Sequence, residues 1–432
     1  MDEERDNAPR EPARPGFWRS PLRGPWLTSV FAVVLLVGLT VVSVTGFVSY
    51  AAYNPDVAAV NDKTPERGWL GFYLVDWPTE PYWLYRLTQG VHVTLGVALV
   101  PVLLAKLWSV VPKLFTWPPV RSPSHALERA TLLLLVGSVL FEFATGVLNT
   151  QLDYVFPGSF YTLHFYGGWV FLASFLSHTM LKFPRVVRAL RSRSLSRELR
   201  TPVARTRPEP GDTTGLVPAA PAPATMSRRG ALGMVGLGSA SLLAVTAGQS
   251  IGGPLRATAL FAPHGQELGT GPNDFQINKT FAAVDLREGD IGPEWRLTVQ
   301  GPDGREAVLT REEVLDLPQH TARLPIACVE GWSTANQRWS GVRLGDLAAL
   351  VGLSGSDPPG VFVESAQRSG PFRAVGLRAN QVGDPRSLLA LRVNGADLSA
   401  DHGYPARVIV PAAPGVHNTK WVNRLGFGEV AE

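Results

Sequence analysis

Through residue 253 the chain alternates long uncharged apolar runs with charged loops, and beyond it apolar residues fall into short alternating stretches. Runs 27–48, 87–105, 163–181 and 231–253 contain no Asp, Glu, Lys or Arg, and 130–150 is interrupted only by Glu142. Each is long enough to cross a bilayer as a helix, which takes about 20 residues. They predict four transmembrane helices, a linker and a fifth helix. Further on, 295–301, 360–365, 388–394 and 406–411 read as strands bounded by turn residues. Thr310 followed by Glu313 is the start of a capped helix, and 344–351 reads as another short helix. The expected fold class is multidomain. An N-terminal all-α transmembrane four-helix bundle with an anchor helix precedes a C-terminal mixed α+β domain.

Charge orients these elements. Segments 106–129 and 182–229 carry an excess of Lys and Arg, loop 151–162 carries neither, and 51–80 holds more acids than bases. Basic loops stay in the cytoplasm, so the N-terminus is expected inside and everything after Gly253 outside, in a multi-pass cell-membrane protein. The expected divisions are a disordered cytoplasmic N-terminus 1–26, a four-helix domain 27–185, a disordered cytoplasmic linker 186–229, a fifth helix 230–253 and an extracytoplasmic domain 254–432. The linker assignment rests on its Arg, Ser, Pro and Ala content, which offers no periodic apolar face. Ser227-Arg228-Arg229, just before the fifth run, reads either as a positive-inside anchor or as an internal twin-arginine export signal. The first apolar run is too long and too late for a signal peptide. A net charge of +4, with the basic residues beside apolar runs, excludes a nucleic-acid partner and points to the lipid bilayer.

Four of the eight histidines lie in or beside the runs: His92, His125, His164 and His178. Ionisable groups inside a bilayer are costly and usually functional. His164 and His178 are 14 apart, which returns them to one helix face at depths about 21 Å apart. His92 and His164 fall near the outer ends of two helices running the same way, so they are expected to ligate one b-type haem. His125 and His178, on the inner side, are candidates for a second. The segment 27–185 resembles membrane cytochrome b domains with bis-histidine haem, including the haem subunits that serve molybdenum reductases. That resemblance implies exchange of electrons with quinone or another membrane donor.

The chain has one cysteine, Cys328, so no internal disulfide is available. A thiolate is a soft ligand suited to a transition metal. Cys328 opens the run Cys-Val-Glu-Gly-Trp-Ser, followed by Trp339-Ser-Gly-Val-Arg-Leu-Gly-Asp-Leu. A second stretch runs from Val393 through His402-Gly-Tyr-Pro-Ala-Arg407 to Pro411, then Gly415-Val-His-Asn-Thr-Lys420-Trp-Val-Asn-Arg424. In these two stretches the chain resembles the sulfite oxidase family of molybdopterin enzymes. The resemblance implies a molybdenum-molybdopterin cofactor with Cys328 as the catalytic metal thiolate. It also implies cofactor-binding roles for His402, Arg407, Asn418, Thr419 and Lys420, for Asn273 and Asn278 in an early loop, and for Ser365.

Two departures refine that resemblance. Sulfite-oxidising members carry an active-site tyrosine in the segment that aligns with Arg368-Ser-Gly-Pro-Phe372-Arg, where this chain has Phe372. They also usually continue into an immunoglobulin-like dimerisation domain after the Lys-Trp motif, where this sequence stops at Glu432. Both lean toward monomeric bacterial periplasmic members, which include protein methionine-sulfoxide reductases. Arg338, Arg368 and Arg373 either form a pocket for an oxyanion or lie on the surface. The function expected is a molybdopterin-dependent oxidoreductase. It would pass electrons between membrane haem or quinone and an outer molybdenum site, reducing a small-molecule or protein sulfoxide-type substrate. The alternatives are a sulfite-type oxidase sending electrons inward, a membrane-anchored binding module without catalysis, and a haem-only carrier with the outer domain as a docking platform.

Overall fold

The structure, a computed structural model, describes residues 12–14, 16–53, 76–151, 159–211, 215–261, 270–353, 358–368 and 372–428. Among the described residues up to 251 the α-helices are α1 (Pro25–Tyr50), α2 (Leu84–Val110), α3 (Pro123–Gln151), α4 (Phe160–Ser192), α5 (Leu195–Arg200) and α6 (Arg228–Ile251). By length and composition four helical stretches among the described residues could cross a membrane: Pro25–Tyr50, Leu84–Phe115, His125–Gln151 and Arg228–Ile251. The expected span at 163–181 does form, as part of the 33-residue α4. It is less apolar than the others because Gly167, Gly168, Ser174, Ser177 and His178 interrupt it and Lys182 and Arg185 follow at once.

The chain divides into two compact units, and the division cuts through helices rather than between them. Unit one is Met1–Ser43, Leu95–Ala144 and Tyr166–Ala244; unit two is Val44–Thr94, Thr145–Phe165 and Val245–Glu432. This division differs from the one expected, which placed boundaries near 185 and 253. One end of each long helix groups with the C-terminal strands, and on α2 and α6 Gln89 and Ser250 bond the 328–333 loop directly.

In unit one, Leu27, Phe31, Leu35 and Leu39 of α1 recur every fourth residue and form one buried stripe. The stripe packs with Leu99, Val102 and Leu103 of α2, Val139 of α3, and Phe171 and Phe175 of α4. The expected disordered segments at 1–26 and 186–229 are corrected in part. Leu22 and Trp26 are core residues, residues up to Ser192 continue α4, and α5 follows. Polar anchors hold this segment. Glu198 accepts from Arg193 Nη1 at 2.6 Å and from Arg228 Nη1 at 3.2 Å. The Glu209 carboxylate accepts the Trp26 N–H at 3.0 Å, and Trp26 Nε1 donates to the Arg193 carbonyl at 3.1 Å. A periodicity reading cannot see such an anchor, since it depends on buried charge pairs rather than an apolar face. Ser227 Oγ accepts the Gly230 N–H at 3.1 Å and caps α6, while Arg228 is 1% exposed.

In unit two the strands are β1 (Leu297–Gln300), β2 (Glu306–Leu309), β3 (His320–Leu324), β4 (Gln337–Arg343), β5 (Val361–Ser365), β6 (Ala374–Leu377), β7 (Leu388–Val393), β8 (Ala396–Asp397), β9 (Arg407–Ile409) and β10 (Val422–Phe427). One sheet has the order β2-β1-β10-β5-β6, with β1 and β10 parallel; the other is β3-β4-β7-β8, with β9 on β7. The expected strands correspond to β1, β5, β7 and β9. Thr310 and Glu313 make the expected reciprocal cap at helix Arg311–Asp316. Leu297, Val299, Val342, Leu344, Val361, Val363, Leu389, Leu391 and Leu425 fill the main core. This core fixes the loops after β3 and after β9, which carry the candidate site.

Candidate functional site

Cys328 lies in the connection from β3 to β4, which folds back on itself. Ile326 N donates to Thr334 Oγ1 and Thr334 N to the Ile326 carbonyl, each at 2.9 Å. Cys328 N donates to the Trp332 carbonyl at 2.9 Å, and Gly331 N to the Cys328 carbonyl at 3.0 Å. Gly331 has φ 87°, and a side chain there would meet Val93, so both backbone and space demand glycine. Gln89 Nε2 donates to the Val329 carbonyl at 2.5 Å, and Ser333 Oγ to the Ser250 carbonyl at 2.7 Å. Gly415 N donates to the Ala327 carbonyl at 2.7 Å, drawing in the 415–420 run.

The thiol is 8% exposed, and burial pushes its pKa well above the usual value. Such a thiol is a poor free nucleophile. A bound cation reverses this, because a coordinating thiol is deprotonated outright. The chemistry of the position therefore suits a metal ligand.

A cluster of buried polar groups follows on β9 and the run after it. Arg407 is 4% exposed; Nη1 donates to the His402 carbonyl at 3.0 Å and Nη2 to the Asn418 carbonyl at 2.9 Å. Its guanidinium lies 5.2 Å from the Trp339 ring. Burial lowers its pKa to about 9. Lys420 Nζ donates to the Asp401 carbonyl at 2.9 Å and to the Lys279 carbonyl, and burial, then Arg407, hold its pKa well below the usual value. Among the described residues neither cation has a carboxylate in ion-pair range. Arg407 Nε, Asn418 Nδ2 and Thr419 Oγ1 are buried without a hydrogen-bond partner. Unpaired buried donors cost about 1–3 kcal/mol each. One buried cation, Arg407, one partly buried cation, Lys420, and three orphaned polar atoms could together receive a polar anionic group.

His402 supports this cluster: Nδ1 pairs with Ser399 Oγ at 2.8 Å and Nε2 with the Phe275 carbonyl at 3.2 Å. Burial, with Arg407 and Lys420 adding to it, lowers the His402 pKa to about 4, so its imidazole is neutral near pH 7. Asn273 joins through Ser399, accepting its N–H at 3.0 Å while donating to the Asp397 carbonyl at 3.0 Å. Ser365 Oγ donates to the Lys420 carbonyl at 2.8 Å. Asn278 stands apart from the rest. It is exposed, and its Oδ1 accepts the Lys279 N–H at 2.9 Å, a local turn contact.

The membrane-run histidines divide into two cases. The His92 and His164 rings are 6.1 Å apart at 89°. An imidazole bonds a metal at about 2 Å, with the ring centre about 1 Å further, so two imidazoles that shared one metal ion would have centres up to about 6 Å apart. His164 Nδ1 pairs with Thr145 Oγ1 at 2.9 Å, the kind of contact that orients an imidazole. A side chain at Gly46 would meet the His92 ring at 2.7 Å. The other pair is not brought together among the described residues. His125 Nδ1 accepts the Arg121 N–H at 3.2 Å at the start of α3. The charged groups around His178 are Lys106, Lys182, Lys113 and Glu128.

Sequence reasoning passed over His417, Tyr53, Tyr85, Tyr161, Gly46 and Thr145. Only His417 had a local signal, since it stands inside the 415–420 run. Tyr53 Oη and Tyr85 Oη pair at 2.8 Å. The Tyr161 ring is 5.6 Å from that of Phe372, whose φ of 63° is unusual for a bulky residue.

Residues 284–431 match the family model for the oxidoreductase molybdopterin binding domain. Mitochondrial sulfite oxidase of Drosophila melanogaster is 33% identical over 159 residues, covering 31% of this chain and 27% of that protein. An uncharacterized oxidoreductase, YuiH, of Bacillus subtilis (strain 168) is 29% identical over 155 residues, covering 35% of this chain and 76% of that protein. Among solved structures, the sulfane dehydrogenase SoxCD from Paracoccus pantotrophus is 25% identical with TM-score 0.31, covering 38% of this chain and 46% of that one. The chain spans about a quarter of the length of the sulfite oxidases it matches.

Proposed function

Taking residues 284–431 as an oxidoreductase molybdopterin-binding domain, we propose that the chain is a membrane-bound molybdenum enzyme reducing a sulfoxide-type substrate. Its electrons come from a membrane quinol through one b-type haem held by His92 and His164. The observation that carries the reading is the buried Cys328 thiol together with the two carboxylate-free cations, Arg407 and Lys420, and the orphaned donors beside them.

Cys328 is the thiolate to molybdenum, and Arg407, Asn418, Thr419 and Lys420 receive the pterin and its phosphate. When bound, the molybdenum-molybdopterin supplies two-electron oxygen-atom chemistry. The protein's part is ligation, orientation and charge. Lys420 and Arg407 neutralise the anionic cofactor. His402, neutral at working pH, keeps the Ser399 and Phe275 contacts that hold the 399–407 turn. Asn273 and Ser365 fix the same turn and the Lys420 backbone.

Four considerations support the finer parts. The helix ends grouped in unit two belong to residues 44–50, 84–94, 145–151, 160–165 and 245–251, the ends that loop charge assigns to one side of a membrane. The catalytic domain is then extracytoplasmic. The His92–His164 ring separation of 6.1 Å would let both imidazoles hold one haem. The exposed apolar side chains Val34, Val37, Leu133, Leu134, Leu237 and Leu243 suit lipid contact. The Arg368 guanidinium is engaged by Asp290 at 2.5 Å rather than poised for an oxyanion, which favours a neutral sulfoxide over sulfite.

The test uses purified full-length chain with its haem reduced by a quinol. Adding a dialkyl sulfoxide should reoxidise the haem, and sulfite should not reduce it. Haem reduction by sulfite, with no response to sulfoxides or N-oxides, would reverse the direction of the proposal.

A further inference from the structure

The histidine pair and the Cys328 loop belong to one unit, and a file of ring contacts joins their surroundings. His164 stacks on Phe160 at 4.9 Å and 26°. Phe160 meets Tyr161 at 5.7 Å, and Tyr161 meets Tyr53 at 5.5 Å. Tyr53 meets His417 at 6.1 Å. Tyr53 and Tyr85 are buried in a cluster that includes Ala327, with Tyr161, Val329 and Val416 packed against it. The far end of the file therefore lies against the two residues flanking Cys328 and the residue before His417.

An apolar plug would not need this composition. Burying a phenol costs free energy unless its hydroxyl is bonded, so leucine would fill the space at lower cost. Here the Tyr53–Tyr85 hydroxyl pair meets that cost. The rings come from the region after α1, the first turn of α4 and the loop before β10. Their convergence is a tertiary feature that no local propensity requires.

We propose that Phe160, Tyr161 and Tyr53 form the electron bridge between the His92–His164 pair and the Cys328 site. This rests on the reading that the pair holds haem and Cys328 holds molybdenum. Removal of the oxygen from a dialkyl sulfoxide breaks its sulfur–oxygen bond, takes two electrons and two protons, and yields the dialkyl sulfide and one water. The quinol releases two electrons and two protons as it becomes quinone. The electrons cross the bridge one at a time, and the bridging side chains end each crossing unchanged.

The experiment follows single-turnover haem reoxidation by a dialkyl sulfoxide in the full chain, after haem and molybdenum contents have been measured. Tyr53→Leu and, independently, Phe160→Leu should slow reoxidation by about tenfold or more, while Tyr53→Phe, which keeps the ring, stays within about threefold. Haem midpoint potential, haem absorption and the Mo(V) resonance should be unchanged in all three, which a merely structural defect would not leave intact. Loaded Leu variants that reoxidise at the parent rate, or a Tyr53→Phe rate as slow as Tyr53→Leu, would overturn the bridge alone. A chain that takes up no haem removes both the bridge and the reading beneath it.

Discussion

Two nearly fully buried arginines, one in each unit, meet opposite surroundings. Arg228 of unit one, 1% exposed, faces the Glu198 carboxylate at 3.2 Å and donates to the Arg207 carbonyl at 2.9 Å. Arg407 of unit two, 4% exposed, meets only carbonyl oxygens and an aromatic face. A buried ion pair neutralises its own charge and acts as a clamp, even though Arg228 Nε, like Arg407 Nε, has no hydrogen-bond partner. A buried cation without a carboxylate, beside orphaned donors, is an incomplete arrangement that an anionic ligand would complete. The same residue type is therefore structural in one place and, by our proposal, cofactor-binding in the other.

The largest expected effect separates these roles through stability. Arg228→Ala leaves Glu198 buried beside one remaining partner, and should lower stability by about 3–5 kcal/mol. The thermal midpoint of the cofactor-free full chain reads this. An unchanged midpoint would mean the 186–229 segment is not clamped as described.

Next comes pH. An unfolded imidazole takes up its proton near 6.5, and folded His402 only at about 4. Between those values the unfolded chain binds more protons, so stability falls as pH is lowered through that window. The loss is on the order of 3 kcal/mol for His402 alone. His417, whose pKa burial lowers to about 3, adds to the loss in the same direction. Denaturant titrations at pH 7 and 4.5 should differ, and His402→Gln should narrow the difference.

Arg407→Met sharpens the contrast from the other side. Two carbonyls lose a donor but an uncompensated cation also leaves, so apo stability should change by only about 1–3 kcal/mol. Cofactor affinity should fall about 10–100-fold, the equivalent of one charged hydrogen bond. Pterin retained after gel filtration measures it. Asn278→Ala should do least, within about 0.5 kcal/mol on stability, because Asn278 is exposed and bonds only the next residue's N–H.

Much of this was legible because it is local. Alternation revealed β1, β5, β7 and β9, and Thr310 with Glu313 announced its helix. β4 and β10 escaped because each carries a register shift, between Ser340 and Gly341 and between Val422 and Arg424, that interrupts the period-two pattern. The Cys328 and 402–420 runs carried their resemblance in contiguous residues. What was not legible depends on distance in sequence. The Glu209–Trp26 anchor, Gly46 against His92, and the meeting of Tyr53, Tyr85 and Tyr161 each join segments far apart in the chain.

The most direct measurement is the molybdenum and pterin content of the full chain made in a host that synthesises the cofactor, beside that of Cys328→Ser. We predict about one molybdenum per chain in the parent and loss of the metal from the folded variant. A folded parent with neither molybdenum nor pterin would contradict the account.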